Sequence, residues 1–206
     1  MKLIGITGTI GVGKSTLLQC ISDLGGRTID ADAVVHSLYA ADREMIRRMV
    51  ERWGSGIVGE QGDLDRQAVA RIVFRQPEQL KWLNELIHPA VRARLIEVAG
   101  QSPEKPLFCA VPLLYEAGWQ DDFASVICVW CDSRRQLSRL RRRGWSKGEI
   151  DRRLGSHWSA ESKADLADLV VVNVGSRRIL SEQCREFMAR PEFSLQLTSK
   201  RHDGEV

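Results

Sequence analysis

The sequence predicts an α/β fold, a parallel five-stranded sheet with helices on both faces, on three observations. Short apolar runs recur along the chain, and near-continuous apolar strands are what a parallel sheet covered on both faces requires. Between these runs lie stretches with apolar residues at helical spacing. The first strand-like run leads straight into Gly8-Thr9-Ile10-Gly11-Val12-Gly13-Lys14-Ser15-Thr16, which fits the pattern Gly, four residues, Gly-Lys-Ser/Thr of a P-loop.

Taken in order, Lys2-Leu3-Ile4-Gly5-Ile6 reads as a buried strand, and Leu17 to Leu24 reads as a helix stopped by Gly25-Gly26. A glycine-rich turn in that setting binds phosphate for physical reasons. Gly8, Gly11 and Gly13 let the backbone aim its N–H groups inward, and the next helix points its positive end at the same place. Lys14 reaches the outer phosphates, and the Ser15 hydroxyl is placed to ligand Mg²⁺. The loop therefore predicts a nucleoside triphosphate, with Gly11, Val12, Gly13, Lys14, Ser15 and Thr16 against it.

Arg27 to Asp32 reads as a second strand ending in Asp30 and Asp32, two carboxylates that share a face if the strand persists. Ligands of parallel sheets gather at the carboxyl ends of strands. Asp32 is therefore a candidate base or metal-water ligand; the bland alternative is a helix cap. Residues 33–49 are helical in pattern, and Trp53 to Gly56 and Gly59-Glu60-Gln61-Gly62 mark a loop. A helix capped by Asp65 runs through Phe74. Another runs from Pro77 to Ile87, broken at His88-Pro89 because the residue before proline is pushed from helical geometry. A last one ends at Gly100. Residues 33–100 thus form a helical block between two strands, suited to gripping a second substrate.

Leu107 to Val111 is a buried strand ended by Pro112, with Glu116 just beyond it on the ligand side; Ser125 to Asp132 is the next strand. Cys128-Val129-Trp130-Cys131 has redox spacing but sits in a strand, so the cysteines read as core residues. Six arginines then crowd residues 134–143, with Leu137 and Leu140 on the other side. The run reads as a solvated face, a nucleic-acid patch or a mobile lid carrying guanidinium groups. Slight aromatic interleaving weakens the nucleic-acid reading. A helix starts near Ser146. Leu169 to Asn173 is a last strand, a helix covers residues 178–188, and the tail from Pro191 is polar.

The 206 residues can bury a sizeable core, and a net charge of +3 tolerates anionic ligands without singling out nucleic acid. No stretch is long and apolar enough for a membrane span, and five cysteines without a secretion signal predict a reducing, cytoplasmic setting.

The motifs together resemble the dephospho-coenzyme A kinase family, from about Lys2 to Met188. The matching pieces are Gly8 to Thr16, Ile29 to Asp32, Leu64-Asp65-Arg66, Val73-Phe74, Leu83-Asn84 and Ile87 to Arg92. Val111 to Glu116, Gln136 to Leu140, Lys163, Ala167-Asp168 and Asn173 to Gly175 follow. The resemblance implies phosphoryl transfer from ATP, with Mg²⁺ near Ser15, to the ribose 3′-hydroxyl of dephospho-CoA, the last step of coenzyme A synthesis. It implies that Asp32 orients or deprotonates that hydroxyl, that Arg139 belongs to the lid, and that Asn173 lies on the adenine side. His88, Arg92 and Glu116 fall around the acceptor.

On the same basis residues 1–32, 101–135 and 164–190 form the nucleotide-binding core, 33–100 the acceptor region, 136–163 the lid and 191–206 a tail. Two departures stand out. Arg141-Arg142-Arg143-Gly144 is one residue short of the usual lid spacing, leaving open which arginine takes the second lid role, and His157 stands where the family usually has Gln. The expected partner is dephospho-CoA, with no nucleic acid or membrane, in a monomer or weak homo-oligomer. The rivals are another small-molecule kinase of the nucleotide-kinase class and a P-loop switch or ATPase. No second switch motif supports the latter.

Overall fold

The computed structural model describes residues 2–59, 62–73, 75–155, 157–191 and 193. Phe74, the Glu60-Gln61 part of the expected loop, and the expected tail apart from Pro191 and Phe193 lie outside the described residues. The described chain opens with β1 (Leu3–Thr7), α1 (Lys14–Asp23) and β2 (Arg27–Asp30). It continues through α2 (Ala31–Ala41), α3 (Arg43–Trp53), a short 3₁₀ turn, α4 (Arg66–Val73) and α5 (Pro77–Gly100). Next come β3 (Leu107–Ala110), a second 3₁₀ turn, β4 (Ser125–Trp130), α6 (Ser133–Arg142), α7 (Lys147–Leu154) and α8 (Ala160–Leu166). β5 (Leu169–Val172) and α9 (Arg177–Met188) close it.

The five strands form one sheet in the order β2-β3-β1-β4-β5. β1 lies parallel between β3 (Leu3 opposite Leu107) and β4 (Ile4 opposite Ser125), and β5 continues parallel beside β4. Ile4, Ile6, Phe108, Ala110, Ile127 and Val129, two apart along their strands, turn to one face and pack with Leu17 and Ile21 of α1 and Leu180 and Phe187 of α9. The opposite face is close-packed at Gly5, where a Cβ would come within 2.6 Å of Leu114 Cδ1. α1 ends in a Schellman motif: Gly26 N–H donates to Ile21 O and Gly25 N–H to Ser22 O, both at 2.9 Å, with Gly25 at φ +82°.

Residues 30–98 form a compact helical unit of their own, distinct from the unit that holds the sheet. Three expectations are corrected within it. The second strand stops at Asp30, which caps α2 by accepting from Asp32 N–H at 2.9 Å, so Asp32 is a first-turn helical residue. The strand alternation that would have put both carboxylates on one face does not extend to Asp32. The helix expected over 33–49 is two helices, because Asp42, in extended geometry, caps α3 through Met45 N–H at 2.9 Å.

His88-Pro89 does not break a helix: α5 runs 24 residues with Pro89 inside it. Its buried seam, Leu83, Ile87, Val91 and Leu95, recurs every four residues straight through the proline, which is exposed. Burying that continuous seam outweighs the hydrogen bond that proline removes. The Asp65 cap, with Oδ1 accepting from Gln67 and Ala68 N–H, and the Ser146 start of α7 are as the sequence predicts.

Candidate active site

The site is built where β1 hands over to α1. Gly8, Gly11 and Gly13 have φ of +136°, +79° and +106°, a region that side chains disfavour. A Cβ on Gly13 would also lie 2.1 Å from Asn173 Nδ2. The outward carbonyls of the loop are individually held. Gln136 Nε2 donates to Ile10 O at 2.7 Å and to Thr9 Oγ1 at 2.8 Å. Val12 O accepts from Arg139 Nη1 at 2.9 Å and from Asn173 Nδ2 at 2.8 Å, and Arg139 Nη2 reaches Asn173 O at 2.9 Å. Since the peptide is planar and trans, fixing the Ile10 and Val12 carbonyls outward turns the Gly11 and Gly13 N–H groups the other way.

α1 starts directly at Lys14, with no side-chain cap and no acidic residue in its first turn, so its positive end is presented to an anion. Lys14 Nζ donates to Gly8 O at 2.7 Å and Thr9 O at 2.9 Å, which parks an ammonium over the loop. Ser15 is exposed on the same turn. A cavity of about 420 Å³ opens beside it, lined by Gly11, Gly13, Arg139, Arg142, Arg143 and Asn173 among others. The loop, Lys14, Ser15, Thr16, Arg139 and Asn173 are thus brought together, and Arg142 and Arg143, rather than Arg141, face the cavity.

Glu116, in the turn after β3, is engaged by Lys163 of α8. Lys163 Nζ donates to Glu116 Oε2 at 3.0 Å, lies 2.8 Å from Oε1, and donates to Pro112 O at 2.7 Å. Trp158 N–H also donates to Glu116 Oε1 at 2.8 Å. Burial alone would raise the Glu116 pKa, but these donors outweigh it and hold the carboxyl below its ordinary value. His157 Nδ1 lies 3.9 Å from Glu116 Oε1, and its side chain is 9% exposed. Burial first, then the charges of Lys163 and Lys14, push its pKa down to about 4 against the pull of Glu116, so the ring is neutral at ordinary pH. The cysteines are buried and free, and burial lifts the Cys128 thiol to about 11, which fits core packing and not redox chemistry.

In the helical unit, Asp32 is exposed on the first turn of α2, and the capping role there belongs to Asp30. His88 and Arg92 are four apart on α5, where burial first and the Arg92 charge second lower the His88 pKa.

Two residues that the motif reading quoted without a role acquire one. Gln136 is buried on the same side of α6 as Leu140, four residues on, and braces the loop. Its signal was a polar residue on the apolar seam of an amphipathic helix. Lys163 carried no such signal, because only tertiary packing buries it.

A family model described as dephospho-CoA kinase matches residues 2–178. A dephospho-CoA kinase of Symbiobacterium thermophilum is 39% identical over 180 residues, covering 85% of this chain and 75% of that protein. One from Streptococcus pneumoniae is 37% identical over 185 residues, covering 88% and 92%. Among solved structures, a Thermus thermophilus protein superposes with a TM-score of 0.80 at 33% identity, covering 91% of this chain and 96% of its own. A dephospho-CoA kinase from Campylobacter jejuni has a TM-score of 0.68 at 25% identity over the same shares.

Proposed function

The chain belongs to the dephospho-CoA kinase family, and from that premise we infer that it transfers the γ-phosphate of ATP to the ribose 3′-hydroxyl of dephospho-CoA, the last step of coenzyme A biosynthesis. The observation that carries this reading is the braced phosphate loop: Ile10 and Val12 carbonyls held outward, glycine N–H groups turned in, and Lys14 poised above them.

The triphosphate lies against the N–H groups of Gly11 to Thr16 and the first turn of α1. Lys14 exchanges the Gly8 and Thr9 carbonyls for outer phosphate oxygens, swapping neutral acceptors for charged ones. The nucleoside side falls in the arginine-lined cavity by Asn173. Arg139 acts by holding Val12 and Asn173 in place, and Arg142 and Arg143 supply lid charge. Among the described residues no cluster of His, Cys, Asp or Glu could hold a metal ion. Mg²⁺ bound largely through substrate phosphates with the exposed Ser15 hydroxyl fits that donor set, and it would neutralise charge on the phosphates.

On the acceptor side, Asp32 takes the proton of the 3′-hydroxyl as its oxygen attacks the γ-phosphorus and the bond to the β-phosphate oxygen breaks, releasing ADP. Residues 33–100 are the binding region for dephospho-CoA, with His88 and Arg92 as acceptor contacts there, and Glu116 is an acceptor-side residue of the sheet unit. Positioning and charge neutralisation supply most of the rate. Among the described residues no helix is long and apolar enough to cross a membrane. The enzyme works in the cytoplasm, as a monomer or weak homo-oligomer, without a nucleic-acid partner.

The test is a coupled ADP-release assay with dephospho-CoA against nucleosides and nucleoside monophosphates. Turnover confined to dephospho-CoA is expected; preference for a nucleoside monophosphate would make the chain a nucleotide kinase instead.

A further inference from the structure

Lysine is among the residues least often removed from solvent, yet Lys163 is 0% exposed. Every direction of its ammonium is accounted for: Pro112 O at 2.7 Å, Glu116 Oε1 at 2.8 Å and Glu116 Oε2 at 3.0 Å. Pro112 O also accepts from Thr7 Oγ1 at 3.3 Å, and Thr7 is the last residue of β1, immediately before Gly8. Glu116 in turn accepts Trp158 N–H, and the Trp158 ring stacks on Tyr115 with centroids 6.1 Å apart and planes 11° from parallel. One buried side chain therefore ties together the strand that delivers the phosphate loop, the turn after β3, and residues 157–163, where the Arg-rich segment returns to the sheet.

The pair also sits within electrostatic reach of the phosphate loop. His157 and Cys128 both respond to the charges of Lys163 and of Lys14. A carboxylate at Glu116 without its partner would be a largely buried negative charge close to Pro112 O, the carbonyl that Thr7 at the entry to the phosphate loop also contacts. Such a charge repels the ligand, and low local polarity strengthens the effect.

We propose that Lys163 is a positioning residue for the phosphoryl transfer: its pairing with Glu116 cancels the carboxylate's charge beside the phosphate loop and pins the returning end of the Arg-rich lid to the β3 turn. This rests on the reading of the chain as an ATP-dependent kinase. A pair that only stabilises the core would leave ATP affinity untouched in any variant that folds. The charged or titratable groups facing Glu116 are Lys163 and His157.

The experiment measures ATP affinity by calorimetry, kcat and KM with dephospho-CoA, and melting temperature, between pH 5.5 and 8.5. The proteins are the wild type, Lys163→Met, Lys163→Arg and the double variant Lys163→Met/Glu116→Gln. Lys163→Met should weaken ATP binding at least about 10-fold at pH 8, with recovery toward pH 5.5 as the unpaired, buried Glu116 takes up a proton. The double variant should return ATP affinity to within about 3-fold of wild type at every pH, and Lys163→Arg should do so by keeping the charge. If Lys163→Met does not fold, the double variant decides, because Glu116→Gln removes the carboxylate charge: ATP affinity within about 3-fold of wild type supports the proposal and a loss of about 10-fold or more overturns it. Wild-type-like ATP affinity in Lys163→Met across the pH range would overturn the proposal, as would a double variant as weak as the single. Calorimetry needs no acceptor, so a wild type that ignores dephospho-CoA would defeat the substrate reading alone.

Discussion

Arg139 donates to the main-chain carbonyl of Asn173 at 2.9 Å, and the Asn173 side chain donates to Val12 O, the second carbonyl that Arg139 holds. The three residues close a ring between α6, the end of β5 and the phosphate loop. An arginine with its two terminal nitrogens committed to carbonyls is a brace first.

Arg139→Met should therefore lower stability as well as ATP affinity. Two charge-assisted hydrogen bonds to partly buried carbonyls are lost, at a cost of about 1–3 kcal/mol. Arg139→Lys should recover little, since a lone ammonium does not reproduce the planar fork that spans two acceptors. Thermal denaturation with and without ATP measures both effects. An unchanged melting temperature with lost kcat would make Arg139 purely catalytic.

Asp30 and Asp32 should separate cleanly. Asp30 accepts the Asp32 N–H as the cap of α2, so Asp30→Ala should cost about 1 kcal/mol while Asp30→Asn costs little. Asp32→Asn should leave the melting temperature alone and lower kcat by about 10²–10⁴-fold, with KM values changed only a few-fold. Near-normal kcat in a stable Asp32→Asn enzyme would remove Asp32 from the mechanism.

The contrast between these two carboxylates marks where sequence reasoning stopped. The phosphate loop was legible because its chemistry demands glycines and a lysine at fixed spacing. The register of Asp30 and Asp32 was not, because a side-chain cap decides where the strand yields to the helix. Pro89 misled for the opposite reason. The local rule for proline predicts a break, while the four-residue apolar seam through Leu83, Ile87, Val91 and Leu95 belongs to one helix. Lys163 was invisible as a buried residue, since nothing near it in sequence announces the Glu116 turn 47 residues away.

The exposed Pro89 gives its own test. Pro89→Ala restores a backbone donor inside α5 and removes the ring's clash with the preceding turn, so the melting temperature should rise, by an amount corresponding to about 1–3 kcal/mol. A fall would mean that the proline geometry is built into the packing of α5.

Acid should expose His157. Its folded pKa of about 4 lies below the ordinary 6.5, so the unfolded chain binds the extra proton between those values. Stability is then unaffected above pH 6.5 and declines as pH falls from 6.5 toward 4. His88, also lowered, adds to this slope. Glu116, lowered from 4.5, loses its contribution only as pH falls through 4.5, so it does not enter the slope between pH 6.5 and 5. His157→Gln should thus flatten the decline of melting temperature between pH 6.5 and 5 relative to wild type. An identical slope in the two proteins would show that His157 titrates normally.

The central claim is transfer of the γ-phosphate to the 3′-hydroxyl of dephospho-CoA by the braced loop. Its most direct test is ADP release with ATP and Mg²⁺, comparing dephospho-CoA with its 3′-deoxy analogue, and using Lys14→Ala as the chemical control. One ADP should form per 3′-phosphorylated product with dephospho-CoA, with only background release from the analogue. Lys14→Ala should fold normally and fall by at least about 10²–10³-fold. Equal ADP release with the 3′-deoxy analogue, or undiminished turnover by Lys14→Ala at saturating ATP, would contradict the account.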